Sequence, residues 1–301
     1  MNLHHSLLVA AAIAALPVAA QAHISYANRD FGSFDATGGN ATIANQTVSG
    51  YGRIYTNIIN NGVINANNTP NAAGPASKGI ILMNSPKTNN ATLTSSNGGF
   101  WYVRGITLTN NGLMSSSNTS TSGGGFENCT VNGGTVTNVA SQPFGTVGSV
   151  TLAGNTITPG SIVQVSDNSG LFTTGLTNNG TVLISTPTAP GNSTHLDSTN
   201  PGTTLNGSGT VRLQGPASGN GDSNAAYLYH NGNGANTLTN AATHSIKGYG
   251  RIFTNLINNG TVNADVSGKG LFLIEQNKPN NATITSSNGG FWYLRGMTVT
   301  N

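Results

Sequence analysis

The chain has 301 residues, and half of them belong to four small or turn-forming types: 43 Asn, 41 Gly, 39 Thr and 28 Ser. Charged residues make up only 6% of the sequence, and the eleven Lys and Arg are scattered singly for a net charge of +3. This composition argues against nucleic-acid binding, which needs clustered basic residues, and leaves little material for acid–base or metal chemistry. Hydrophobic residues still reach 36%, so a folded core is expected rather than disorder.

Residues 1–22 have the pattern of a secretory signal peptide. An apolar stretch from Leu7 to Val18 precedes Ala20-Gln21-Ala22, which places small residues at both recognition positions of a cleavage site. The stretch is well short of the roughly 20 apolar residues that span a bilayer, and no later segment approaches that length. We therefore expect cleavage after Ala22, export of the mature chain and no transmembrane segment.

A long internal repeat occupies both ends of the remaining sequence. Residues 50–66 recur at 248–264, and residues 78–110 recur at 269–301, with 35 of these 50 positions identical. Most of the substitutions exchange one apolar residue for another, as packing on a shared core permits. The sequence is therefore built from modules, with more divergent copies between them.

Short apolar runs alternate with turn sequences such as Asn-Asn-Gly and Asn-Gly-Gly throughout the modules. Gly and Asn adopt positive φ readily, and strong helix formers are absent after residue 22, so many short strands are expected. Coils of such strands stack so that each covers the apolar side of its neighbour. A β-sandwich is the structural alternative, but it gives no reason for so long a repeat.

The predicted organisation has three parts. Residues 1–22 are the signal peptide, residues 23–49 form an N-terminal cap with the first strands, and residues 50–301 form a β-solenoid. Within the solenoid, the two modules are residues 50–110 and 248–301.

The module pattern is Gly-x-Gly-x-Ile, then Asn-Asn-Gly-x-Ile/Val-x-Ala, then Asn-Gly-Gly-aromatic. It resembles the right-handed parallel β-helix repeats of bacterial autotransporter and filamentous-haemagglutinin-type adhesin passengers, and is similar to exported proteins of the PEP-CTERM sorted class. The resemblance covers residues 40–301. It implies an all-β, right-handed parallel β-helix that acts as a surface rod, binding glycan or protein, or further copies of itself, without a cofactor. The second module stops at Asn301, which aligns with Asn110, so we expect a fragment of a longer chain.

Cys129 is the only cysteine, so no intrachain disulfide can form. A small buried side chain is the favoured interpretation. The alternative is a thiol that pairs between chains in an oxidising compartment.

The sharpest candidate binding residues lie in two matching strands, 100–104 and 291–295. Aromatic rings next to an arginine can stack on sugar faces or bind a protein partner, whereas an internal aromatic stack is the structural alternative. Alternation along each strand places its tryptophan on the face opposite the neighbouring rings, so one aromatic set is expected to face outward. The candidates are Trp101, Tyr102, Arg104, Trp292, Tyr293 and Arg295.

A polysaccharide-cleaving lyase or hydrolase is the main functional alternative, because parallel β-helices include such enzymes. It would need paired carboxylates, or a calcium cluster with a basic residue. Asp197 and Asp222, spaced about one coil apart with His195 and His230 nearby, are the best pair. The turn Gly219-Asn-Gly-Asp222 has weak likeness to a calcium-binding turn, but a simple turn is favoured. We expect no metal and no catalytic residue.

Four Thr-x-Thr pairs indicate a third possibility, an ice-binding solenoid, because a regular threonine array can order water. Threonine is also simply a good strand residue. The pairs are Thr92/Thr94, Thr107/Thr109, Thr283/Thr285 and Thr298/Thr300.

Overall fold

The computed structural model describes residues 33–34, 41–67, 79–119, 123–139, 142–186, 193–198, 202–222, 226–230 and 236–300. The regular structure of these residues is entirely β-strand. Among them there is no helix long and apolar enough to cross a membrane. The predicted signal peptide and most of the predicted cap lie outside this part of the chain.

The chain forms two compact units, unit 1 (residues 1–144) and unit 2 (residues 145–301). The strands up to the boundary are β1 (Ser33–Phe34), β2 (Ala41–Ile43), β3 (Thr47–Gly50), β4 (Gly52–Ile54), β5 (Ile58–Asn60), β6 (Val63–Asn67), β7 (Gly79–Leu82), β8 (Lys87–Asn89), β9 (Thr92–Ser96), β10 (Phe100–Arg104), β11 (Thr107–Asn110), β12 (Leu113–Ser115), β13 (Gly124–Glu127), β14 (Thr130–Asn132), β15 (Thr135–Thr137) and β16 (Phe144–Val147).

The remaining strands are β17 (Ser149–Ala153), β18 (Thr156–Ile157), β19 (Ile162–Val165), β20 (Gly170–Thr173), β21 (Thr177–Asn178), β22 (Thr181–Ser185), β23 (Thr194–Ser198), β24 (Thr203–Leu205), β25 (Thr210–Gln214), β26 (Ala226–Tyr229), β27 (Thr237–Asn240), β28 (Ser245–Ile252), β29 (Asn255–Asn258), β30 (Thr261–Ala264), β31 (Gly270–Ile274), β32 (Lys278–Pro279), β33 (Thr283–Ser286), β34 (Phe291–Arg295) and β35 (Val299–Thr300).

Each coil of unit 1 contributes one strand to each of three faces. The first face contains β1, β4, β7, β10 and β13, the second β2, β5, β8, β11 and β14, and the third β3, β6, β9, β12 and β15. Strands within a face pair in parallel with the strand one coil away, as β4 does with β7 and β6 with β9. This parallel stacking confirms the predicted all-β solenoid and does not fit an antiparallel sandwich.

Unit 2 has the same three-face arrangement. Its first face contains β17, β20, β23, β26, the end of β28, β31 and β34. Its second face contains β18, β21, β24, β27, β29, β32 and β35. Its third face contains β19, β22, β25, the start of β28, β30 and β33.

The core of the solenoid is a set of apolar columns that run from coil to coil. Alternation along each strand points every second side chain inward, so residues in register on neighbouring coils stack on one another. Burial of each such side chain contributes about 1.5–3 kcal/mol, and the contact exists only because the next coil covers it. The inward column of the third face of unit 1 is Val48, Ile64, Leu93, Met114 and Val136, all buried.

The Asn-Asn-Gly turns add hydrogen-bonded ladders to this core. The first Asn of each turn points inward: the Asn60 amide donates to Asn89 Oδ1 at 2.6 Å, and the Asn89 amide donates to Asn110 Oδ1 at 2.7 Å. The second Asn forms an outer ladder, in which Asn90 donates to Asn61 and Asn111 donates to Asn90, both at 2.8 Å.

The glycine of these turns is required by close backbone approach. A Cβ atom on Gly112 would lie 2.0 Å from the carbonyl oxygen of Ala91 on the preceding coil, and one on Gly62 would lie 2.2 Å from that of Gln46. Every residue of the Asn-Asn-Gly motif therefore has a separate structural role.

In unit 2 a histidine enters the inner ladder. Asn240 donates to Asn258 at 2.8 Å and Asn258 donates to Asn280 at 2.7 Å. On the other side of Asn240 the ring of His244 bridges to Asn178, with Nδ1 2.8 Å from Asn240 Oδ1 and Nε2 3.1 Å from Asn178 Nδ2. His244 is buried, and burial lowers its pKa to about 4, so the ring is neutral.

Two buried lysines, one in each module, close equivalent turns. Lys87 Nζ donates to the carbonyls of Met83 and Ser85 at 2.9 and 2.8 Å. Lys278 does the same with the carbonyls of Ile274 and Gln276 at 3.0 and 2.6 Å. Burial lowers the pKa of each ammonium group to about 8.

Cys129 is buried, which confirms the favoured interpretation of this residue as a small core side chain. Burial raises the pKa of its thiol to about 12. A buried thiol that stays protonated is poorly suited to pairing between chains.

Candidate binding surface

The indole of Trp101 lies inside unit 1, with 0% of its surface exposed. Its ring centroid is 5.5 Å from that of Phe126 and 4.8 Å from that of Phe144, and its Nε1 donates to the carbonyl of Ser115 at 2.9 Å. On the neighbouring strand, a Cβ atom on Gly124 would meet this indole within 2.8 Å. Trp101 is therefore part of an internal aromatic stack, and we correct its assignment as a candidate binding residue.

Tyr102 and Arg104 point outward from the same strand, as alternation requires. The Tyr102 ring is half-buried and contacts Phe100 edge-on at 5.5 Å, and its pKa is raised chiefly by burial. Arg104 Nε is 2.7 Å from Glu127 Oε2, so the charge of this arginine is already compensated by the next coil. In unit 1 the outward part of the predicted site is thus one tyrosine beside an ion pair.

The matching strand of the second module is exposed throughout. Trp292 is 45% and Tyr293 53% exposed, although Trp292 is in register with Leu271, which is fully buried. In the described part of the chain β34 pairs on one edge only, with β31, so nothing there covers the side of Trp292 that corresponds to the buried side of Trp101. Tyr293 lies on the outward side, 5.7 Å from the ring of Phe272.

A group of outward rings lies on the first face of unit 2, and sequence analysis missed most of it. On β20, β23, β26 and β31 and around the end of β28, most residues that alternate with fully buried leucine or isoleucine are aromatic or carry an imidazole, and Asp197 and Arg251 are among the exceptions. We call this group the aromatic strip; its members are Phe172, His195, Tyr227, Tyr229, Phe253, Phe272 and Tyr293.

Ring contacts run along the strip from one coil to the next. The His195 ring is 5.8 Å from Phe172 and 5.9 Å from Tyr229, both edge-on. The Phe253 ring is 6.1 Å from Tyr229 and 5.6 Å from Tyr227. Phe172, His195, Tyr229 and Phe253 are half-buried, so each keeps one part against its neighbours and another part in contact with solvent. Tyr227 and Phe272 are buried, and Tyr293 is exposed.

Arg251 continues the strip between the rings of β26 and β31. It pairs in register with Tyr227 on one side and Phe272 on the other, and its guanidinium carbon is 5.8 Å from the centre of the Phe253 ring. Its charge is compensated by Asp222, whose Oδ1 is 3.1 Å from Arg251 Nη2 and 4.0 Å from Arg295 Nη1. The cluster therefore has two arginines to one carboxylate.

The residues considered for an enzyme lie on or beside the same strip. Asp197 is in register with Phe172 and Tyr229 and is fully buried. His230 stacks on Tyr229 with ring centres 4.9 Å apart. Burial lowers the pKa of His195, which favours the neutral form of its ring. The structure thus gathers His195, Asp197 and His230 around Tyr229, whereas Asp222 is held by arginine.

The ammonium group of Lys269 binds the turn that ends at Asp222. Lys269 Nζ donates to the carbonyls of Ala217 and Gly219, and the Asp222 backbone carbonyl accepts from Arg251. Oxygen atoms that a calcium ion would need are therefore engaged by lysine and arginine, in keeping with a simple turn. The described residues contain no group of three or more His, Cys, Asp or Glu side chains that could hold a metal ion.

The missed signal was present in the sequence as aromatic residues at alternate positions of separate strands, such as Tyr227 and Tyr229. It could be found only by placing strands from different coils in register.

Comparison of the chain with protein-family models, with curated proteins and with solved structures finds no match.

Proposed function

We propose that the protein is an exported, non-enzymatic surface protein that adheres to glycans through the aromatic strip of unit 2. The observation that carries this proposal is the unbroken series of ring contacts from Phe172 to Phe253 on the outward side of neighbouring coils. The predicted signal peptide and the resemblance of the repeats to adhesin passengers support the same function.

Aromatic rings suit this role because a sugar ring presents an apolar C–H face that packs on them. The strands that carry the rings are about 4.8 Å apart. Successive ring centroids from Phe172 to Phe253 are 5.8, 5.9 and 6.1 Å apart. A polymeric glycan that lies along the solenoid can contact several rings at once. Each contact is weak, and their combination on one chain raises the overall affinity.

Affinity electrophoresis through gels containing different polysaccharides tests the proposal. We expect at least one polysaccharide to retard the native chain. The double substitution Tyr229→Ala with Phe253→Ala should weaken this retardation about tenfold, since an aromatic contact contributes about 0.5–1.5 kcal/mol.

The matched control is Tyr51→Ala, which removes a half-exposed tyrosine of unit 1 that lies between β3 and β4. It should leave the retardation unchanged. Equal weakening by the control and the double variant would contradict a binding role for the strip.

One observation favours a second candidate, an enzyme that cleaves polysaccharide. His195 and Asp197 project from the same side of β23 and both adjoin Tyr229, and a neutral imidazole beside a carboxyl group can serve general acid–base chemistry. Release of sugar fragments that is lost in both His195→Gln and Asp197→Asn would favour this candidate over adhesion alone.

A further inference from the structure

The third face of unit 1 carries two outward rows of small, mostly hydroxyl-bearing side chains. The strands β3, β6, β9, β12 and β15 each contribute two residues, one to each row. The first row is Thr47, Val63, Thr92, Leu113 and Thr135, and the second is Ser49, Asn65, Thr94, Ser115 and Thr137.

These rows form a regular grid. Successive members of a row are in register on adjacent parallel strands, so they are about 4.8 Å apart, and the two rows are separated by two residues of strand, or about 6.6 Å. All ten side chains are half-exposed. Ser115 Oγ donates to Thr94 Oγ1 at 2.8 Å, and the β-branched threonines and valine have restricted rotamers, so the grid is well ordered.

Seven of the ten grid side chains carry a hydroxyl group, and the other three are Val63, Asn65 and Leu113. None of the five strands contains a charged or aromatic residue. The surface therefore offers methyl groups, hydroxyl groups and one amide with no net charge, and no ring on which a sugar could stack. The face has no charge to bind a charged polymer and no ring to bind a glycan. Its regularly spaced hydroxyl groups can instead hydrogen-bond to an ordered layer of water.

We propose that the third face of unit 1 binds ice. The hydroxyl groups hold water molecules at fixed, repeating positions, and the methyl groups between them exclude mobile water, so the bound layer can join the surface of a growing crystal. This function is separate from the glycan adhesion proposed for unit 2.

Two of the other threonine pairs lie in rows that charged or apolar residues interrupt. On the third face of unit 2, the row that contains Thr285 also includes Arg212 and Lys247, whose charges interrupt it. Thr107 and Thr109 lie on the second face of unit 1, where the row of Thr109 includes Ile59 and Asn132. The proposal is therefore confined to the pair Thr92/Thr94 and its neighbours.

Thermal hysteresis and inhibition of ice recrystallisation by the purified chain test this proposal. We expect activity above that of albumin at the same concentration. Thr94→Tyr places a large ring at the centre of the grid and should reduce the hysteresis at least fivefold. Thr109→Tyr makes the same change at an exposed position of the second face and should leave it unchanged.

Circular dichroism and thermal unfolding establish that both variants keep the native fold. If Thr94→Tyr fails to fold, Thr135→Tyr at the edge of the grid replaces it. The proposal is overturned if the native chain is no more active than albumin. It is also overturned if the grid variant keeps full activity, or if both variants lose activity equally. None of these results bears on the glycan-binding test, which uses other residues and another ligand.

Discussion

Individual polar residues hold this solenoid together from the inside, and His244 shows how. Its neutral ring accepts from Asn178 at Nε2 and donates to Asn240 from Nδ1, which the hydrogen-bond partners assign as the protonated nitrogen. A second proton at Nε2 would face the amide hydrogens of Asn178. The ladder therefore holds only while the ring is neutral.

This arrangement predicts a pH-dependent loss of stability. The pKa of His244 falls from about 6.5 in the unfolded chain to about 4 in the folded one, so between these values only the unfolded chain takes up the proton. The stability linked to His244 is complete above pH 6.5 and is lost as the pH falls through 4. Over this range the native chain should lose about 2–3 kcal/mol more than His244→Gln.

Urea unfolding of the native chain and His244→Gln at several pH values between 7 and 4 measures this difference. The comparison cancels the titration of the carboxyl groups, which both chains share. Parallel loss of stability in the two chains would show that His244 does not titrate as described.

At the scale of elements, the asparagine turns are hydrogen-bonded from coil to coil in the same way as the strands. Asn89 accepts a hydrogen bond from Asn60 and donates to Asn110 and to the carbonyl of Leu113. These bonds join neighbouring coils in the interior of the solenoid. Asn90, the next residue, makes the same kind of ladder with Asn61 and Asn111 in solvent. The two ladders differ in burial far more than in geometry.

We expect Asn89→Ala to lower the free energy of unfolding by about 2–3 kcal/mol, because it leaves buried amide partners unsatisfied. Asn90→Ala should lower it by less than about 1 kcal/mol, since water replaces the lost bonds. Urea unfolding monitored by circular dichroism measures both variants. Equal losses would mean that the inner ladder is not the stabilising one.

The strands also show how far sequence analysis reaches. The repeat and its turns predict the parallel stack correctly, because apolar alternation and Asn-Asn-Gly spacing depend only on nearby residues. The exposure of a side chain depends instead on the adjoining coil: Trp101 is covered by β13 and Trp292, in an almost identical strand, is not. The aromatic strip and the buried lysines were missed for the same reason, since they arise from residues on separate coils or from a turn that wraps a long side chain.

At the scale of the whole molecule, scarcity of charge is the feature that unites these findings. The few ionic groups whose partners are described are used locally, as in the pairs Arg104–Glu127 and Arg212–Asp265. Amide ladders and apolar columns stabilise the solenoid. The outward side chains of each strand can therefore differ from face to face. The first face of unit 2 presents the aromatic strip, and the third face of unit 1 presents the threonine grid, so the same architecture carries two different surfaces.

The central claim is that the aromatic strip is the surface that contacts glycan. Hydroxyl-radical footprinting, read by mass spectrometry with and without the polysaccharide that retards the chain, tests it most directly. We predict that oxidation of Phe172, Tyr229 and Phe253 falls on binding while that of Tyr51 and Tyr102 is unchanged. Failure of every polysaccharide to bind, or protection of Tyr102 with no protection of the strip, would contradict the claim.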